Sequence, residues 1–225
     1  MSLWSNRFVN LTACLLLAAC QSTPPKDAAA AAAAREVSPD AANGPGAGTP
    51  TENAGARPIP QRAAVQYADA LKMMKAGRTA DAEVQFKQMS ETYPEFSGPE
   101  VNLGLIYLQG SRLLEAESAF KAALSRNPAS VAAGNELGIV ERKLGKFSEA
   151  EAAYQRTIAA DPNYAPAYLN LGVLYDLYLA EPKKALEEFE HYIELAGDNK
   201  QVAGWVMELR KRAGAPAPAV KKEPA

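Results

Sequence analysis

The sequence holds a single histidine, His191, and two cysteines, Cys14 and Cys20, so the side chains best suited to nucleophilic or soft-metal chemistry are scarce. His191 stands beside Phe189 and Tyr192 with no cysteine near it, which leaves nothing from which to build a zinc site or an activated nucleophile. It reads as a surface or packing residue. The carboxylate clusters, Glu187, Glu188, Glu190 and Glu194, and Glu115 with Glu117, lie among lysines and arginines at helical spacing and read as solvated charge. There is no glycine-rich phosphate loop. No catalytic residue, metal ligand or cofactor is assigned, and the sequence is not expected to encode an enzyme. Cys20 stands in a different context: Arg7 precedes an apolar stretch, Phe8 to Ala19, which is too short to span a bilayer as a mature helix and reads as a cleaved signal ending just before this cysteine.

The residues Leu17, Ala18, Ala19 and Cys20 resemble the bacterial lipobox. That resemblance implies a signal peptide over 1–19, cleavage before Cys20, a diacylglyceryl group on its sulfur and an acyl chain on its new amino group. The alternative is an ordinary secretory signal cut after a small-x-small site, with Cys20 unmodified. In Gram-negative lipoproteins an Asp after the cysteine tends to retain the protein in the inner membrane, so Gln21 implies anchorage in the cell outer membrane, facing the periplasm. Loss of Cys14 with the signal and lipidation of Cys20 would leave no thiol for a disulfide.

Residues 20–60 contain no aromatic side chain, an alanine run from Ala28 to Ala34, and many prolines and glycines. Such a segment cannot bury enough apolar surface to offset its ordering entropy and is expected to be a tether with a random-coil reach of roughly 35 Å. Residues 214–225 are expected to be a loose tail of the same kind. The formal net charge is −2 and no basic stripe stands out, so nucleic-acid binding has no electrostatic support.

The elements that must present any functional surface are announced by a period. Pro94, Pro128 and Pro162 are 34 residues apart. Before Pro128 come Leu103, Gly104 and Tyr107, then Ala116, Phe120 and Ala123; before Pro162 come Leu137, Gly138 and Glu141, then Ala150, Tyr154 and Thr157. Leu171, Gly172, Tyr175, Ala185, Phe189 and Tyr192 follow, displaced by one residue in the segment Leu179 to Pro182, and a weaker copy comes earlier in Ala70, Met73, Ala82, Phe86 and Met89. Small and large apolar residues at these offsets suit two antiparallel helices that pack on each other and on the next pair. Turn signals divide each unit into an A and a B helix: Gly77, Gly110 with Ser111, Gly145, and Pro182 in the first turn of the last B helix. Gly104, Gly138 and Gly172 weaken their helices by up to about 1 kcal/mol each, which close helix contact would offset.

This pattern resembles the tetratricopeptide repeat (TPR) family over roughly 63–197. The resemblance implies an all-α, right-handed superhelical solenoid over 61–213, with about four helix-turn-helix repeats at 63–96, 97–130, 131–164 and 165–198. A capping helix over 199–213 would follow, started by Asp198, with Val202, Trp205, Val206 and Leu209 on its apolar face and Arg210, Lys211 and Arg212 at its end. Trp205 is expected in the core.

In TPR proteins the A helices line a concave groove, and carrying its positions over residue by residue gives Tyr67, Leu71, Val101, Asn102, Leu105, Gln109, Asn135, Ile139, Arg142, Leu169, Asn170, Val173 and Asp176, with Asn102 and Asn170 as donors to a bound backbone. Such a mixed surface suits a protein segment better than a small-molecule substrate. The chaperone-binding TPR subclass clamps a carboxylate with lysine and arginine, where this sequence has Ala132 and Glu136, so that clamp is not expected. A lipid anchor, a tether and about four repeats resemble the small TPR lipoproteins of bacterial envelopes. Two roles remain open: pilotins and assembly factors of type IV and related pili, whose partner is an outer-membrane secretin or pilus component, and adaptors that dock proteases or peptidoglycan hydrolases.

Overall fold

The computed structural model describes residues 59–197 and 199–214. Cys20, Gln21, the 20–60 tether apart from its last two residues, and the tail beyond Gly214 lie outside them. The described residues form helices α1 (Gln61–Lys75), α2 (Thr79–Thr92), α3 (Gly98–Gln109), α4 (Leu113–Arg126), α5 (Val131–Lys143), α6 (Phe147–Ala160), α7 (Ala165–Leu177), α8 (Pro182–Ala196) and α9 (Lys200–Ala213), with no strand among them. None is long and apolar enough to cross a membrane.

The turn inside each repeat has one recurring geometry. Gly77, Ser111 and Gly145, each 34 residues from the next, adopt φ of 73°, 57° and 75°. The residue at that point and the one after it donate back to two carbonyls of the ending helix: Gly77 N to Met74 O and Arg78 N to Met73 O, Ser111 N to Leu108 O and Arg112 N to Tyr107 O, Gly145 N to Arg142 O and Lys146 N to Glu141 O. This left-handed stop satisfies the last carbonyls of α1, α3 and α5 and reverses the chain. In the fourth repeat the left-handed residue is Ala180, at φ 54°, and Glu181 N reaches Tyr175 O, so the additional residue of that turn is absorbed in a longer loop.

Packing then follows the register. Phe86, Phe120, Tyr154 and Phe189, one from each B helix, are fully buried. The three glycines make room for three of these rings: a Cβ on Gly104 would lie 2.5 Å from Phe120, one on Gly172 2.7 Å from Phe189, and one on Gly138 closer still to Tyr154. Leu103 and Ile106 in α3, Leu137 and Val140 in α5, and Leu171 and Leu174 in α7 complete each layer. Val202, Val206 and Leu209 occupy the same register in α9, which is therefore an A helix without a B helix after it among the described residues. At the glycine position α9 carries Met207, which is exposed.

Two sequence expectations are corrected here. The N-cap of α9 is Asn199, whose side chain accepts from Gln201 N and Val202 N, because its extended backbone places the carbonyl oxygen over the first turn. Glu117 is not a solvated charge. It is buried and bonds Lys121 Nζ at 2.6 Å and Lys146 Nζ at 2.7 Å. Glu83 and Arg112 make the corresponding tie one repeat earlier at 2.9 Å, so both bridges fasten a B helix to the intra-repeat turn of the next unit. These cations hold Glu83 and Glu117 below the usual carboxylate range.

Candidate protein-binding groove

Each A helix packs on the flanking B helices, and α3 also touches α5 as α5 touches α7, whereas no comparable contact joins successive B helices among the described residues. The A helices therefore lie on the inside of the curve, and their remaining exposed side chains form its concave surface. Along that surface the structure separates floor from lining.

Tyr67, Val101, Asn102, Asn135, Ile139, Leu169, Asn170 and Val173 are buried. Leu71, Leu105, Arg142 and Asp176 are half-buried, and Gln109 is exposed. Asn102 and Asn170 spend their amide donors on the protein itself. Asn102 Nδ2 donates to Tyr67 Oη at 2.7 Å and to Gly98 O at 2.9 Å, and Asn170 Nδ2 donates to Asn135 Oδ1 at 2.9 Å. Each amide bond between helices links successive A helices, α1 to α3 and α5 to α7, so these residues fix the spacing of the groove walls rather than reach into the channel. Burial pushes the Tyr67 hydroxyl above its ordinary range, which keeps it neutral as the acceptor of this bond.

What remains accessible is an interrupted apolar strip, Leu71, Met74, Leu105, Leu108 and Leu177, edged by Gln109, Arg142, Lys143 and Asp176. Arg142 Nη1 donates to Tyr178 Oη at 3.3 Å, its guanidinium lies 5.4 Å from that ring's centre, and Phe147 packs on the same ring at 5.2 Å. This cluster forms one rim.

At the C-terminal end the groove deepens into a cavity of about 250 Å³ between α7 and α9, lined by Val173, Asp176, Leu177, Phe189, Trp205, Glu208 and Arg212. The position occupied by Asn102, Glu136 and Asn170 in the three preceding A helices holds Trp205 in α9. Its indole lies 5.4 Å from the Phe189 ring and is only half-buried. The expectation that Trp205 is core is thus met on one face only, because α7 and α9 do not approach as α5 and α7 do. Arg212 spans the gap to Asp176, and Arg210 pairs with Glu190 at 3.0 Å, so the basic end of α9 is used to dock it. Trp205, Glu208 and Arg212 were not expected as groove contacts; the register continued from Asn170, Val173 and Leu177 by 35 residues, which includes the one-residue displacement of the fourth turn, leads to them.

His191 is exposed on α8, with its ring 5.4 Å from Tyr168. Among the carboxylates, Glu141 is the exception to pairing by position. It occupies the site held by Tyr107 and Tyr175 in neighbouring repeats, is buried, and has Lys121 Nζ at 3.5 Å as its nearest cation. Burial raises its carboxyl above the ordinary range.

Residues 101–165 and 135–197 match the tetratricopeptide repeat family model. No curated protein matches the sequence. Among solved structures, MamA superposes with a TM-score of 0.62 at 22% identity, covering 69% of this chain and 85% of that one. The MamA fragment beginning at residue 41 from Desulfovibrio magneticus RS-1 gives 0.61 at 18% identity, with 69% and 88% covered. The thermophilic TPR protein TTC0263 of Thermus thermophilus gives 0.53 at 20% identity, with 68% and 83% covered. At such identities the likeness concerns the fold alone. With the family match over the second to fourth repeats and one register running from α1 to α9, the fold is a tetratricopeptide-repeat solenoid.

Proposed function

We propose that this protein is an interaction scaffold of the bacterial envelope, anchored in the outer membrane through lipid on Cys20, whose concave groove holds a segment of a partner protein. The observation that carries the reading is the accessible apolar surface of Leu71, Leu105, Leu108 and Leu177 on α1, α3 and α7, interrupted at α5 and edged by polar side chains. Such a surface fits an extended or helical polypeptide better than a metabolite. In its finer form the proposal is a pilotin-like role, in which the partner is an outer-membrane secretin or pilus-assembly component.

Site-specific photocrosslinking in cells tests the groove. Benzoylphenylalanine at Gln109 or Lys143, both exposed on A helices, should give a discrete protein adduct, whereas the same probe at Val84 or Leu114, exposed on B helices, should not. Adducts confined to the B helices would move the contact to the convex face. Identification of the adduct as a protease or peptidoglycan hydrolase would replace the pilus role by the adaptor role. Cys20→Ser removes the thioether acceptor and should release the protein from the outer-membrane fraction; unchanged fractionation with lipid labelling would reject the anchor.

A further inference from the structure

We infer that the cavity between α7 and α9 is a side-chain pocket for one large apolar residue of the partner segment, flanked within two residues by lysine or arginine. The inference rests on the reading that the groove holds a protein segment, and it adds the chemistry that the segment must carry.

The volume of about 250 Å³ is several times the share of one water molecule in the liquid, about 30 Å³, and accommodates a leucine, methionine or phenylalanine side chain. Val173, Leu177, Phe189 and Trp205 supply apolar walls, and the half-buried indole presents a face with no ring on its open side among the described residues. A rigid aromatic wall at the end of a groove is the setting in which a single inserted side chain dominates binding.

The rim gives the sign of the neighbouring charge. Of its three charged residues, Arg212 is paired with Asp176, while Glu208, 63% exposed in its side chain, faces Lys211 at 3.8 Å on its own helix. Lys211 is 79% exposed and is not among the residues that line the cavity. The lining therefore sums to one negative charge, centred on Glu208, and a cation beside the inserted residue complements it.

The test uses the full chain labelled with nitrogen-15 and synthetic ten-residue alanine-glutamine peptides. Each carries phenylalanine, leucine or alanine at its centre and lysine or glutamate two residues later. The Trp205 indole resonance, assigned by its loss in Trp205→Phe, reports binding. The phenylalanine-lysine and leucine-lysine peptides should titrate it at least about tenfold more tightly than the alanine-lysine peptide. They should also bind about threefold more tightly than their glutamate counterparts. Glu208→Lys should reverse the charge preference, and Leu177→Glu should erase the advantage of the large side chain. Equal affinity of the phenylalanine and alanine peptides, or a charge preference indifferent to Glu208→Lys, overturns the inference. Binding that appears only when residues 215–225 are deleted would assign the pocket to this chain's own end, where Val220 precedes Lys221 and Lys222, and also overturns it. Crosslinks from Gln109 and Lys143 that persist undiminished in the Leu177→Glu chain would retain the groove and reject the pocket; their absence from the unsubstituted chain would reject the groove itself.

Discussion

Replacing Gly104 by alanine sets two effects of opposite sign against each other, and the structure decides which wins. Alanine in a helix interior is favoured over glycine by about 1 kcal/mol. A Cβ at this position, however, would stand 2.5 Å from the Phe120 ring, and Phe120 is fully buried among side chains that leave it little room to retreat. Ordinary carbon contacts need about 1 Å more. Overpacking of this size costs about 1–3 kcal/mol, and a rigid ring in a dense layer belongs at the upper end. The net expectation is a loss of about 1–2 kcal/mol, or a fall in melting temperature of about 2–8 °C for a domain of this size. Gly204 is the internal control. It also lies within a helix, but a Cβ there meets no atom within 4 Å, so alanine should stabilise by about 1 kcal/mol. Urea denaturation of the full chain, followed by far-UV circular dichroism, measures both. If Gly104→Ala stabilised as much as Gly204→Ala, the glycine would not be there to seat Phe120 and the packing argument for the repeats would fail.

Ser111 and Ala180 hold a left-handed backbone at φ 57° and 54°, so glycine at either should stabilise by about 0.5–1 kcal/mol, strain relief exceeding the added chain entropy, whereas Gly77→Ala should destabilise by about 1 kcal/mol. A urea midpoint for Ser111→Gly at or below that of the parent would contradict the turn geometry. Glu141 has a raised carboxyl because it is buried; Lys121 at 3.5 Å and Arg156 offset this only in part, and the Glu117 carboxylate adds to it. The folded state then binds more protons than the unfolded chain, so this group's contribution falls as pH rises from the unfolded carboxylate value through the raised one. Glu141→Gln should therefore be at its most favourable relative to the parent near neutrality and lose that advantage on acidification; a stability difference independent of pH would refute the assignment. Removing the α9 cap with Asn199→Ala should cost about 1 kcal/mol in thermal melts, and no change would mean that α9 starts elsewhere.

The helical pairing was legible because the sequence states it redundantly. Gly104, Gly138 and Gly172 recur with Phe120, Tyr154 and Phe189 at matching distances, and a small residue facing a large ring has few other meanings at that period. The turn was legible in place but not in detail: of Gly110 and Ser111, the register puts the serine in the left-handed position, although glycine is the residue that conformation favours. The groove was harder to read, because spacing tells which way a side chain points on its helix but not how near the next helix comes. Asn102, Asn135 and Asn170 do point along the inside, where close neighbours turn them into ties between helices. Val173 is only 2% exposed for the same reason. Glu117 looked solvated because its partner in the next repeat, Lys146, is 29 residues away, yet the corresponding separation of Glu83 and Arg112 was visible in the sequence. The cavity beside Trp205 depends on a gap between two helices, which no pattern of types can express.

Met207 has a consequence for how such an array can change its length. In α3, α5 and α7 the corresponding residue is a glycine, and that vacancy is what lets a B helix close on the A helix. With methionine there, a helix added after α9 would meet a side chain where its aromatic ring must lie. Copy number can therefore increase by duplication within the array, where glycine recurs with every unit, but not by appending a unit at its end unless residue 207 is replaced at the same time. A single side chain thus places a steric stop at the last described helix of this array.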